Sequence, residues 1–239
     1  MTPLDIDRIR REFPGRPIEY FPAVGSTMHA AAGRPPGAVV LAGEQTSGQG
    51  RHGHSWHSEP GCGIYCSLVL HPMPVLTLAL GLATADAITR AAGIACDLRW
   101  PNDVLLGGKK VAGILVQLAA NQAIAGIGIN VNHRRFPAAL AAEATSLRMH
   151  TGREIPPTDI LIALLNAVDE FLKLDKISIL RLFTHASSYA SGRRVVVHQP
   201  EGDIVGVTAG LDPSGFLIVR RDDGTDTLIL AGGVRAAGS

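Results

Sequence analysis

The chain has 239 residues, 46% of them hydrophobic and 18% charged, with a formal net charge of +1 at pH 7. This composition is typical of a globular protein with one large domain or a large and a small one, and it excludes attraction to nucleic acid through bulk charge. No signal peptide is recognisable, the most apolar stretch (residues 75–95) carries charged residues, and three cysteines are too few for a disulfide framework, so we expect a cytoplasmic protein without membrane contact.

The first 190 residues alternate between helical and strand patterns. Thr2 is predicted to cap the first helix and Thr158 a later one. Ser26 and Thr27 stand at the start of a short helix. Their hydroxyls either cap this helix or contact a ligand, and capping is the default interpretation. Helices are predicted over residues 3–13, 28–32, 76–92, 158–174 and 177–189, and strands over residues 18–21, 38–43, 64–70, 97–100, 104–106, 110–118 and 123–130.

The pattern changes near residue 191. Short strands are predicted over residues 194–198, 204–209, 216–219 and 227–230, separated by turns rich in Gly, Pro and Asp. Several short strands with tight turns are typical of a small barrel-like module. We therefore predict two domains, residues 1–190 and residues 191–239.

A glycine-rich loop follows the strand over residues 38–43. Gly48, Gly50 and Gly53 surround Arg51, so backbone amides and a guanidinium can close over an anionic group. The spacing also satisfies the dinucleotide fingerprint G-x-G-x-x-G, but loop residues follow where that fingerprint requires a helix. Binding of a phosphate or another anion is the favoured interpretation.

A predicted hairpin over residues 104–118 carries the second chemical signal. Strand alternation pairs Lys110 with Ala112 and Ile114, which places its side chain on the covered face, while Lys109 points to solvent. Two interpretations stay open for Lys110: a solvated hairpin end, or a point charge for a carboxylate or phosphate oxygen.

Several stretches together resemble biotin protein ligases. Each stretch alone is weak evidence, but their order and spacing match the family over nearly the whole chain. They are Glu-Gln-Thr-Ser-Gly-Gln-Gly-Arg-His-Gly at residues 44–53, Arg-Trp-Pro-Asn-Asp at 99–103, Lys-Val-Ala-Gly-Ile-Leu at 110–115 and Gly-Ile-Gly-Ile-Asn at 126–130.

The resemblance implies an α/β (α+β) catalytic domain, related to class II synthetases, with a mixed β-sheet covered by helices, followed by a small SH3-like β-barrel. It implies ATP-dependent biotinylation of a lysine on a biotin carboxyl carrier domain of acetyl-CoA carboxylase or a related carboxylase. Biotin first attacks the α-phosphate of ATP with Mg²⁺ present, giving biotinyl-5′-AMP and pyrophosphate, and the lysine then takes the biotinyl group.

Site residues follow from the resemblance position by position. The biotin-binding residues are Ser26, Thr27, Gln45, Gln49, Gly50, Arg51, Lys110 and Gly113. The residues for ATP and the adenylate are Gly48, Arg51, Gly53, Trp56, Asn102 and Asn130. The catalytic residues are Lys110, Arg51 and Asp103; Asp103 is the candidate to orient or deprotonate the acceptor lysine, with turn stabilisation as the alternative. Trp56 is also expected to pack under the loop as an apolar anchor.

The chain departs from the family at two loop positions, Gln49 and His54, where basic residues are common. Too few residues precede Ser26 for the helix-turn-helix domain that many members carry, so we expect no nucleic-acid partner. Edge strands could pair two subunits, since the family includes monomers and dimers. The alternatives are a lipoate or octanoate ligase and a non-catalytic biotin-binding module.

No metal site made by protein ligands alone is predicted. His52, His54 and His57 lie in or near the glycine loop, but their spacing does not match the usual metal-binding pairs. The same holds for Cys62 and Cys66.

Overall fold

The structure is a computed structural model that describes residues 3–199 and 202–237. A seven-stranded sheet has the order β1-β2-β3-β7-β6-β5-β4, with β1 and β2 parallel and all other neighbours antiparallel. The predicted mixed sheet is therefore confirmed. Its strands are β1 (Ile18–Phe21), β2 (Val39–Ala42), β3 (Gly63–Leu70), β4 (Asp97–Arg99), β5 (Asp103–Leu106), β6 (Lys109–Ala119) and β7 (Gln122–Asn130).

Helices cover the two faces of this sheet unequally. Long apolar helices α3 and α6 pack together and form the main core with one face of the sheet, whereas the short helix α2 covers part of the other face. The uncovered part of that second face is where a ligand can reach the sheet. The helices are α1 (Ile6–Glu12), α2 (Thr27–Ala31), α3 (Leu76–Ala92), α4 (Ala138–Ala141), α5 (Leu147–Thr151), α6 (Pro157–Phe171) and α7 (Lys176–Ala186).

A second, five-stranded antiparallel sheet begins at Ser191. Its strands are β8 (Ser191–His198), β9 (Ile204–Leu211), β10 (Leu217–Arg220), β11 (Asp226–Ile229) and β12 (Gly233–Ala236), in the order β11-β10-β9-β8-β12. The indole N–H of Trp100 donates to the carbonyl of Gly215 at 2.9 Å, and buried residues of both sheets form one continuous core. Because the cores are continuous, the division at residue 190 stays a prediction.

Two predicted helix caps differ from the structure. Thr2 lies outside the described residues, and the carboxylate of Asp5 caps α1 by accepting from the amide of Arg8 at 2.9 Å. Thr158 lies inside the first turn of α6, where its hydroxyl accepts from the amide of Asp5 at 2.9 Å and so ties two helices together. Among the described helices, none has the length and apolar character needed to cross a membrane.

Candidate active site

Three glycines form the floor of a cleft on the uncovered face of the first sheet. Gly113 lies on β6, and Gly126 and Gly128 lie on β7. A Cβ atom at Gly128 would lie 2.3 Å from the indole of Trp56, and one at Gly126 would lie 2.5 Å from the sulfur of Met28. Glycine is therefore required because side chains from other segments lie directly on the backbone. The cleft lies above these three glycines and opens to solvent.

Lys110 reaches this cleft because of a β-bulge. Val104 pairs with Ala112 but Leu105 pairs with Lys110, so β6 contains one extra residue opposite β5. The bulge reverses the alternation, and Cε of Lys110 lies 2.8 Å from where a Cβ of Gly113 would be. The prediction that Lys110 shares the covered face with Ala112 and Ile114 was wrong.

The ammonium of Lys110 belongs to a buried charge cluster. Its Nζ lies 2.6 Å from Oδ1 of Asp103, while Oδ2 of Asp103 accepts from Nη2 of Arg99 at 2.7 Å. Burial alone would raise the pKa of Asp103, but Lys110 and Arg99 outweigh it and lower the pKa below its ordinary value. Asp103 is therefore a carboxylate that contacts Lys110 over the floor, and its contact with Arg99 also bridges the turn between β4 and β5.

Lys110 is half-buried, with 29% of its side chain exposed, so the solvated-hairpin interpretation does not describe it. Its Nζ lies 5.5 Å from the ring centroid of Trp56, within the range of a cation–π contact. By contrast, Lys109 points outward, and its Nζ donates to the carbonyl of Ala141 at 3.1 Å. The two adjacent lysines therefore have different environments.

The glycine loop brings a second cation to the cleft. Arg51 begins a short 3₁₀ turn, Arg51–Gly53, and its Nη1 donates to Oδ1 of Asn102 at 3.0 Å. Asn102 is itself fixed to β6, because its side-chain amide donates to the carbonyl of Ile114 at 3.0 Å. The Trp-Pro-Asn-Asp turn thus holds the guanidinium at the mouth of the cleft.

A network of polar side chains lines the end of the cleft near α2. Both the amide and the hydroxyl of Thr27 donate to Oε1 of Gln45, at 2.8 and 3.0 Å, and Ser67 donates to the Thr27 hydroxyl at 2.8 Å. The side-chain amide of Gln45 donates to Ser58 at 3.1 Å. The hydroxyl of Ser26 is buried and has no hydrogen-bond partner within the described chain, so the capping default was wrong for Ser26.

Two stretches of the chain match known protein families. Residues 26–133 match the biotin/lipoate A/B protein ligase family, and residues 190–234 match the biotin protein ligase C-terminal domain. A biotin–[acetyl-CoA-carboxylase] ligase of Mycobacterium tuberculosis is 31% identical over 97% of this chain and 94% of its own length. The chain belongs to the biotin protein ligase family. A second relative in that family, from Paracoccus denitrificans, is 33% identical over 84% of this chain and 91% of its own length.

A solved structure of this family has the same architecture. The biotin protein ligase from Aquifex aeolicus, in complex with biotin and ATP, superposes with a TM-score of 0.84 at 30% identity. The match covers 93% of this chain and 100% of the Aquifex chain. The predicted fold class is confirmed over both sheets.

Most of the residues predicted for a biotin protein ligase site lie together in the cleft. Those that line it are Thr27, Gln45, Gln49, Gly50, Arg51, Trp56, Asn102, Lys110 and Gly113. Five predicted residues are absent from the lining: Ser26, Gly48, Gly53, Asp103 and Asn130. Asn130 instead donates to the carbonyl of Thr145 at 3.1 Å, and Asp103 acts on the cleft through Lys110. The individual roles of all these residues stay predictions.

Sequence reasoning missed several residues that line this cleft. Met28, Leu115, Gly126 and Gly128 line it, and none had been given a role. A signal was present for the two glycines, because alternate glycines in an otherwise apolar strand indicate close approach of another group on one face. Met28 carried no such signal, since a methionine in a short helix usually belongs to the core.

Proposed function

We propose that this chain catalyses the ATP-dependent transfer of biotin to a lysine of a carrier domain, through biotinyl-5′-AMP. The observation that carries the proposal is the placement of Lys110 and Arg51 on a cleft with a glycine floor, in a chain that shares its fold with a ligase solved with biotin and ATP. ATP and biotin are both substrates.

In the first step two anions must approach each other. The carboxylate of biotin attacks the α-phosphate of ATP, and the negative charges of the two groups repel. Lys110 and Arg51 both line the cleft and supply two positive charges, which lower the free energy of the transition state. Asn102 holds Arg51 in place before the substrates bind, which reduces the cost of ordering its side chain.

The glycine loop protects the product of this step. Biotinyl-adenylate is a mixed anhydride that water hydrolyses, so a loop that closes over it keeps the intermediate for transfer. The amides of Gly50 and Trp56 are already bonded to carbonyls within the loop, at 2.7 and 2.9 Å. These two amides are therefore not free to bind the adenylate, and the loop contributes to binding through its shape and through the charge of Arg51.

In the second step the amine of the acceptor lysine attacks the acyl carbon, and AMP leaves. The low pKa of Asp103 makes it a weak base, because a general base is effective when its pKa is near the working pH. We therefore assign Asp103 the role of positioning Lys110. This role differs from the one predicted from the sequence, in which Asp103 orients or deprotonates the acceptor lysine.

We propose that Mg²⁺ binds to the phosphates of ATP as a counter-ion. No carboxylate of the described chain lines the cleft, and Asp103 is already neutralised by Lys110 and Arg99. The residues present do not form a Mg²⁺ site, so we assign no step to the ion. Its ligands would be phosphate oxygens and water.

Two rival functions are distinguishable. A lipoate or octanoate ligase would share the catalytic domain, but the match of residues 190–234 to the biotin protein ligase C-terminal domain favours biotin. A non-catalytic biotin-binding module would not need Lys110 in contact with the floor of the cleft.

The proposed protein partner is a biotin carboxyl carrier domain. We also propose a homodimer paired through the edge strand β1 or β4, which sedimentation analysis would test.

Mass spectrometry of a carrier domain tests the proposal. The purified chain is mixed with ATP, Mg²⁺, the carrier domain and either biotin or lipoate. We expect a biotin-dependent increase in carrier mass that Lys110→Ala abolishes and Lys109→Ala retains. An increase with lipoate alone, or no increase with either acid, would overturn the proposal.

A further inference from the structure

The glycine loop leads into a cluster of potential metal ligands outside the cleft. One ligand atom each from His57, Glu59 and His133 lies within 4.8 Å of the other two. His57 and Glu59 follow Trp56 in the chain, whereas His133 lies just beyond the end of β7. The catalytic proposal uses none of the three.

His133 is the fixed member of this cluster. Its side chain is fully buried, its ring stacks on Phe136 with centroids 5.0 Å apart, and its carbonyl accepts from Ser146 at 2.7 Å. A buried imidazole can use both nitrogens only if each has a partner. Here Nδ1 has no hydrogen-bond partner among the described residues.

The other ring nitrogen determines the tautomer. Tyr65 donates its hydroxyl proton to the carbonyl of Glu59 at 2.8 Å, so this oxygen can only accept from Nε2 of His133, 3.3 Å away. With the proton on Nε2, a neutral His133 leaves an electron pair on Nδ1. A hydrogen-bonded tautomer is the usual way in which proteins orient a metal-binding histidine.

We propose that His57, Glu59 and His133 bind a divalent transition-metal ion of the Zn²⁺ class. Two imidazoles and a carboxylate are a donor set for such an ion, with water as a fourth ligand. Bonds of about 2.1 Å in a tetrahedron separate the ligand atoms by about 3.4 Å. The half-buried side chains of His57 and Glu59 can close the remaining distance by rotation.

Such an ion would join the segment after the glycine loop to the end of β7. Trp56 directly precedes His57, and its indole lies on Gly128 of β7. The ion would therefore hold the tryptophan on the floor of the cleft and stabilise the folded chain. This inference does not rest on the proposed function, because it requires neither biotin nor ATP.

Calorimetric titration of the full chain with ZnCl₂ tests the site, after treatment with a chelator and without substrates. We expect one saturable site per chain and a higher Tm with Zn²⁺. His57→Gln and Glu59→Gln should each weaken binding at least tenfold. His150→Gln, which alters an exposed histidine on α5, should leave the affinity unchanged.

Three results would overturn the proposal. One is equal Zn²⁺ affinity in the wild type and in both ligand variants. Another is the absence of saturable binding, in which case water satisfies Nδ1 of His133. The third is displacement of Zn²⁺ by equimolar Mg²⁺, which would indicate a hard oxygen site and not an imidazole site. Circular dichroism of each variant checks that the fold is retained.

Discussion

The ammonium of Lys110 lies 2.6 Å from a carboxylate oxygen of Asp103, across the hairpin formed by β5 and β6. The contact exists because a bulge at the start of β6 turns Lys110 to the cleft side of the sheet. There it lies close to Asp103, which pairs with Gly113. Arg99 contacts the other oxygen of Asp103, so one carboxylate holds two cations. The proposed catalytic charge is thus positioned by the sheet itself.

Removal of the Lys110 charge should prevent adenylate formation. We expect Lys110→Ala to slow biotin-dependent pyrophosphate release by about 10²–10³-fold, the usual effect of removing one electrostatic contact to a transition state. Lys109→Ala is the matched control, because this neighbouring lysine points to solvent. Equal rates in the two variants would contradict the assignment.

Asp103→Asn separates the positioning role from a general-base role. If Asp103 only orients Lys110, the variant should lower the rate of adenylate formation, and the wild-type rate of transfer should show no inflection from this carboxyl group between pH 6 and 9. The reason is that its pKa lies below the ordinary value. Transfer from preformed biotinyl-adenylate, followed over that pH range, measures this. If the wild-type rate shows an inflection near neutral pH and Asp103→Asn abolishes it, Asp103 acts as a general base and the positioning assignment is wrong.

The same variant has a predictable effect on stability. Folding lowers the pKa of Asp103, so the ionised carboxylate stabilises the folded chain. This contribution to the free energy of unfolding is fully present above the ordinary carboxyl pKa of about 3.9 and is lost as the pH falls through the lower pKa of the folded state. At pH 7 we expect Asp103→Asn to lower the free energy of unfolding by about 3 kcal/mol, since two cations lose their partner. Urea unfolding at pH 7 and pH 3 checks this, because the difference between wild type and variant should shrink at the lower pH.

Gly128→Ala should damage the cleft while the core stays intact. The new Cβ would meet Trp56 at 2.3 Å, so the indole must leave its position on the floor. We expect at least tenfold weaker biotin binding by calorimetry, roughly the loss of 1.4 kcal/mol. Gly81→Ala is the control: a Cβ there would lie 3.8 Å from Phe183, and replacing a helical glycine should stabilise the fold by about 0.5–1 kcal/mol. Unchanged biotin binding in Gly128→Ala would show that Trp56 does not line the binding site.

Asn102→Ala tests whether the Trp-Pro-Asn-Asp turn holds the loop arginine. Without Asn102, Arg51 loses its 3.0 Å hydrogen bond, so the guanidinium must be ordered when substrates bind. We expect a higher KM for ATP and faster escape of biotinyl-adenylate, by about three- to tenfold, the effect of one hydrogen bond. Arg51→Ala should show the same change or a larger one. A double variant no worse than Arg51→Ala alone would confirm that the two residues act as a unit.

The elements that local patterns specify were predictable from the sequence. Apolar runs ended by turn residues located β1 to β11 to within a few residues, and helix α3 over residues 76–92 was correct at both ends. The strand β12 was missed, because Gly233–Ala236 is short and carries one buried apolar side chain, Val234. The glycine loop was predicted to bind an anion because its glycines surround Arg51, whereas the hairpin sequence left two interpretations open for Lys110.

The tertiary structure decided how these pieces meet. The single extra residue at the start of β6 reversed the face of Lys110, and alternation in sequence cannot reveal a bulge that depends on pairing with β5. In the same way, Asn102 supports Arg51, Trp56 covers Gly128 and His133 adjoins His57 only after distant segments pack. The sequence by itself determined most of the strands, the long helices and the charges that are available, because those depend on neighbouring residues; the short elements α4, α5 and β12 were not predicted. Contacts between charges depend on strand register and on packing across the sheet, and these exist only in the folded chain.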